Sequence, residues 1–129
     1  MKDLSSIQSL IKEFYSFAKQ RMGFKKPVRL FLRQDTDNAG NALGKTAYYD
    51  PQNMSVTVYV TDRHPKDILR SFSHELVHHK QNCDGKFDNV KGEMGEGYAQ
   101  NNKHLREMEG EAYLRGNLCF RDWEDHRKI

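Results

Sequence analysis

The sequence predicts an α+β fold: a small antiparallel or mixed sheet of about three strands packed against helices. Three observations predict it. Apolar residues recur at helical spacing near both ends of the chain and again after Pro65; β-branched and aromatic residues alternate in short runs before Pro65; and a glycine-rich stretch separates the second helical pattern from the third. With 129 residues, 36% of them hydrophobic and 30% charged, the chain is long enough for one core and is read as a single domain over 1–129.

Asp3 or Ser5 can cap a first helix that places Leu4, Ile7, Leu10, Ile11, Phe14, Phe17 and Ala18 on one face and ends near Gly23. Pro27 leads into a short strand over 28–32, and the polar stretch 35–44 reads as loop. Residues 45–49 and 55–60 form a hairpin about Asp50-Pro51-Gln52-Asn53, with Val56, Val58 and Val60 facing one way and Thr57, Tyr59 and Thr61 the other. Pro65 and Asp67 open a second helix that runs to about Gln81, with His64 on its cap side. Residues 82–102 carry four glycines and read as a long loop. A last helix begins near Asn102 with Leu105, Met108, Ala112, Cys119 and Trp123 as its apolar stripe, and Gly116-Asn117 is expected to kink or end it.

The balance of charges narrows the classes of function. A net charge of +3 is mild, and the one basic concentration, Lys19 to Lys26, reads as a solvated helix end and turn. With no arrangement of aromatics among the basic residues along the chain, at most weak, salt-sensitive nucleic-acid binding is expected. The uncharged stretch 4–11 is too short for a membrane span or a secretory segment, so a cytoplasmic chain is expected. Cys83 and Cys119 are then expected to stay reduced.

The second helix contains His74-Glu75-Leu76-Val77-His78, an HExxH pattern. Two histidines four apart stack one turn above each other, so both imidazoles can reach one zinc ion at about 2.0 Å. Glu75 is rotated about 100° from His74, where it can take a proton from water beside the metal without being a ligand. Ile68, Leu69, Phe72 and Leu76 form the apolar stripe of this helix, and His74 and His78 lie opposite, away from the core. His79 and Gln81 are expected to solvate the helix end.

A third ligand must come from another element. The last helix offers His104, Glu107, Glu109 and Glu111. Its phase puts Glu109 about 40° beyond Leu105 and turns Glu107 and Glu111 to the far face, which favours Glu109 while leaving the other two as alternatives. Gly110 and Ala112 leave little side-chain bulk, which would let this helix approach the His74 helix closely.

With these residues assembled, the segment 64–113 resembles the gluzincin branch of zinc-dependent metallopeptidases, in which the third ligand is a Glu on a later helix with small residues one and three positions after it. The resemblance implies a minimal zincin-like architecture with His74, His78 and Glu109 as zinc ligands and Glu75 as general base. It also implies that the strand over 55–60 pairs with extended substrate. Two departures follow: Tyr113 stands where thermolysin-like members carry an acidic residue, and the single domain expected over 1–129 leaves none beside it to deepen a cleft.

The expected function is therefore zinc-dependent hydrolysis of a protein or peptide. Glu75 would move the proton, and Tyr113, Tyr98 or His104 would stabilise the oxyanion. The alternative is a non-catalytic module of the same fold that binds protein or nucleic acid. Cleavage specificity and oligomeric state have no signature in the sequence.

Overall fold

A computed structural model describes residues 4–34, 46–86 and 103–127. Asp3, Tyr98, the loop expected over 35–44 and most of that over 82–102 lie outside the described residues. Helix α1 spans Leu4–Met22 and stops where Gly23 takes a φ of +83°, its N–H donating to Lys19 O at 2.9 Å. The buried face of α1 is Ile7, Ile11, Phe14 and Ala18. Phe14 is the centre of the aromatic core, meeting Phe72, Phe120 and Trp123 edge-on at 6.1, 6.2 and 5.3 Å between ring centroids. Such edge contacts contribute about 0.5–1.5 kcal/mol each beyond the area they bury.

Strands β1 (Arg29–Arg33), β2 (Ala47–Asp50) and β3 (Ser55–Tyr59) form one sheet in the order β1-β3-β2. A turn joins β2 to β3; in it the Asp50 carboxylate accepts from Gln52 N at 3.0 Å and Asn53 Nδ2 at 2.7 Å, and Met54 adopts a positive φ. The sheet is mixed because the chain reverses twice between β1 and β3, into β2 and out of it: β3 is antiparallel to β2 and parallel to β1. Being central, β3 has both edges paired. The expectation that it pairs with an extended substrate is therefore corrected, since its backbone groups are already committed to β1 and β2.

One sheet face, with Leu30, Leu32, Ala47, Tyr49, Val56 and Val58, joins the core. Register places Arg29, Phe31 and Arg33 opposite Ser55, Thr57 and Tyr59, with Tyr48 beside Thr57, on the other face. Thus Phe31, Tyr48 and Tyr59 share a surface with two arginines, and Arg33 lies over the Phe31 ring at 5.9 Å. Aromatics and basic residues scattered along the chain are gathered here by strand order.

Helix α2 (Pro65–Cys83) starts as expected, with His64 Nδ1 accepting from Lys66 N at 3.0 Å. Helix α3 (Lys103–Arg127) packs along it and does not end at Gly116, as one of the two expected outcomes had it, but continues through that residue. Gly116 serves close approach. A Cβ there would stand 3.0 Å from the His74 Cα and 3.1 Å from its N, and Ser73 Oγ donates to Gly116 O at 2.7 Å. Gly110 does not play the spacing part assigned to it; it is exposed, and a Cβ there would meet nothing within 4 Å. Ala112 is wholly buried. No helix among the described residues is long and apolar enough to cross a membrane.

Candidate metal site

The α2–α3 contact carries the polar constellation. His74 and His78 present their Nε2 atoms from successive turns of α2, and the Glu109 carboxylate faces both from α3: Oε1 lies 2.7 Å from His74 Nε2 and Oε2 3.1 Å from His78 Nε2. One ligand atom from each of the three residues lies within 4.8 Å of the others, so the set could hold a metal ion. Two neutral nitrogens and one carboxylate oxygen suit a divalent ion of zinc's type, with a fourth position left for water or substrate.

The His74 side chain is 15% exposed and Glu109 26%, but His78 only 1%. The reading of both histidines as lying away from the core is therefore corrected for His78, because α3 covers the face that a one-helix wheel leaves to solvent. Burial pulls the His78 imidazole down in pKa; the hydrogen bond to Glu109, the charge of Glu75, the hydrogen bond to Gln81 and the charge of Glu109 together outweigh it, and the net shift is upward. Glu75 is itself buried and near enough to His78 to act on it electrostatically.

His79 and Gln81 were expected at a solvated helix end, and both are buried. His79 Nε2–H donates to Lys26 O at 2.7 Å, while its Nδ1 accepts from the Tyr49 hydroxyl, also at 2.7 Å. Burial lowers its pKa. Gln81 bridges the two helices: its Oε1 lies 2.8 Å from His78 Nδ1, and its Nε2 donates to Met108 O at 2.9 Å and Glu111 Oε1 at 2.8 Å. Sequence reasoning missed this residue. Its position one turn beyond His78 was the available signal, since residues three apart on a helix are neighbours.

Among the alternatives for the third ligand, Glu107 is exposed. Glu111 is not on the far face; it is half-buried beside Gln81, with Lys86 at 3.6 Å and Arg115 at 3.7 Å. The Gln81 hydrogen bond and these cations hold its carboxyl below the usual range, against a burial effect in the other direction. His104 is exposed, and its Nε2–H donates to Lys86 O at 3.1 Å. Tyr113 is 61% exposed, yet its ring meets the His74 ring at 4.5 Å between centroids, which places it at the rim of the site.

Comparison of the chain with protein-family models, with curated proteins and with solved structures returns no match.

Proposed function

We propose that this domain is a zinc-dependent peptidase whose metal is held by His74, His78 and Glu109. The observation that carries the reading is the convergence of both imidazole Nε2 atoms on the Glu109 carboxylate, with the Glu75 side chain buried beside them. When bound, zinc would supply a Lewis acid that polarises the scissile carbonyl and makes water acidic. Glu75 accepts the proton of the attacking water and returns it to the leaving amine. His74 and His78 would hold the ion through the Nε2 atoms that face the Glu109 carboxylate. Tyr113, exposed and with its ring against that of His74, would donate to a developing oxyanion. The free thiols of Cys83 and Cys119 suit a reducing, cytoplasmic setting.

Glu75→Gln tests the mechanism, because it removes the base and no ligand. Zinc content and the thermal melt should match wild type, while hydrolysis of a peptide library falls by several orders of magnitude. Cleavage at the wild-type rate would sink the mechanism.

A second reading, a binding module for single-stranded nucleic acid, has one observation behind it. The outer sheet face sets Phe31, Tyr48 and Tyr59 beside Arg29 and Arg33, the mix on which bases stack and phosphates pair. Salt-dependent capture of an oligonucleotide that is lost in Phe31→Ala and indifferent to chelator would favour it. No capture at physiological salt leaves the sheet face without that role.

A further inference from the structure

We propose that Gln81 is the positioning residue of the metal site: it fixes the tautomer of His78 and ties that ligand to the helix that carries Glu109. The proposal rests on the zinc reading above. The sequence singled out no residue for this part, and it follows from counting donors and acceptors.

The Gln81 side chain is buried, so its amide has a definite orientation. Two of the groups it meets, Met108 O and the Glu111 carboxylate, can only accept hydrogen bonds. The amide atom facing them must therefore be Nε2, which carries two hydrogens and uses both. That leaves Oε1, an acceptor only, against His78 Nδ1 at 2.8 Å. A hydrogen bond forms there only if Nδ1 carries the proton. With Nδ1–H held by Gln81, Nε2 is the nitrogen left to the ligand cluster: it faces the Glu109 carboxylate at 3.1 Å, and its proton is the one an ion would displace.

The same three bonds set distance as well as protonation. His78 and Gln81 belong to α2, whereas Met108 and Glu111 flank Glu109 on α3. Gln81 thus grips α3 one residue before the acidic ligand and two residues after it. Met108 is anchored through its backbone, so the grip does not depend on that side chain. Glu111, the residue that competes on paper for the ligand role, is the outer end of the grip: it holds the amide by its carboxylate and is held in turn by Lys86 and Arg115. Partners that orient a metal-binding histidine typically change metal affinity 10- to 100-fold when removed.

The test combines a measurement that needs no mutation with two variants. Ring-nitrogen NMR of wild type should show a proton on His78 Nδ1, slow to exchange, in both metal-free and zinc-loaded protein. Zinc titration should then give Gln81→Leu an affinity about 10- to 100-fold below wild type, and Gln81→Glu, which keeps the acceptor and loses both donors, a smaller loss. Should Gln81→Leu fail to fold, Gln81→Met, which keeps the length of the side chain and removes the acceptor and both donors, takes its place, with wild-type zinc affinity again the overturning result. A bare Nδ1 on His78 in the zinc-loaded protein overturns the proposal, as does wild-type zinc affinity in Gln81→Leu. Absence of zinc uptake by wild type itself overturns the reading of the site, and the proposal with it, through a separate measurement.

Discussion

His78 and His79 are adjacent in sequence, both buried and both bonded through both ring nitrogens, yet they face opposite environments. His79 looks toward the sheet and the turn after α1, where Lys26 O takes the proton of Nε2 and the Tyr49 hydroxyl gives one to Nδ1. Both hydrogen-bonding groups there are neutral, and burial, helped by the nearby charge of Lys26, pushes the ring toward its uncharged form. His78 looks toward α3, where Gln81 takes the proton of Nδ1 and the Glu109 carboxylate stands before Nε2. His79 thus faces one acceptor and one donor, which fixes it as Nε2–H, whereas both nitrogens of His78 face acceptors, Gln81 Oε1 and Glu109 Oε2. Burial does not separate a structural histidine from a candidate ligand; the charge of what lies opposite does.

Replacing each ring in turn is the direct way to break this contrast. His78→Ala should abolish zinc uptake, measured as metal content after dialysis, because the ligand set falls to two protein groups. His79→Ala should bind zinc with wild-type stoichiometry but lose about 2–4 kcal/mol of stability in denaturant melts, since it leaves a cavity and strips partners from Tyr49 and Lys26. If His79→Ala loses the metal instead, the division of labour drawn here is wrong.

A smaller effect is expected at the helix contact. Gly116→Ala puts a Cβ about 3.0 Å from the His74 Cα, so α3 must shift, at a cost of about 1–3 kcal/mol and with weakened zinc binding. An unchanged melt and unchanged affinity would show that the helices have slack there. Smallest of all is the pair of glutamates flanking Glu109. Glu111→Ala removes one of the two acceptors of Gln81 and should cost about 0.5–1.5 kcal/mol, while Glu107→Ala, on the exposed side, should stay within about 0.5 kcal/mol. Equal costs would mean that the Gln81–Glu111 bond contributes nothing.

Much of this arrangement was legible in the sequence, and the exceptions share a cause. Helix positions, the hairpin, the His64 cap and the α3 stripe through Met108, Ala112, Cys119 and Trp123 follow from local spacing, which the chain carries within a few turns. The proximity of His74, His78 and Glu109 was also accessible, because helical phase favours Glu109, although the same phase turned Glu111 to a far face on which it does not lie. Three features depended on which elements meet. A wheel drawn for α2 alone assigns it one buried stripe, but the sheet, α1 and α3 all pack against this helix, so His79 and Gln81 lie inside. Gly116 looks like a breaker until the backbone of Ser73 and His74 is placed against it. The central place of β3 depends on strand order, which alternation does not encode.

The glycine contact also has a leverage consequence. Gly116 lies against the His74 backbone, and Glu109 is seven residues away on the same continuous helix, about 10.5 Å along its axis. With the contact as fulcrum, a tilt of α3 by about 10° would swing the Glu109 backbone by roughly 2 Å, whereas ligand distances at a metal vary by only about 0.2 Å. Coordination at one end of this arm and glycine packing at the other therefore constrain a single angle. An ion that fixes the angle at Glu109 would also stiffen the fulcrum, slowing amide exchange around Gly116 two turns from the nearest donor atom on its own helix.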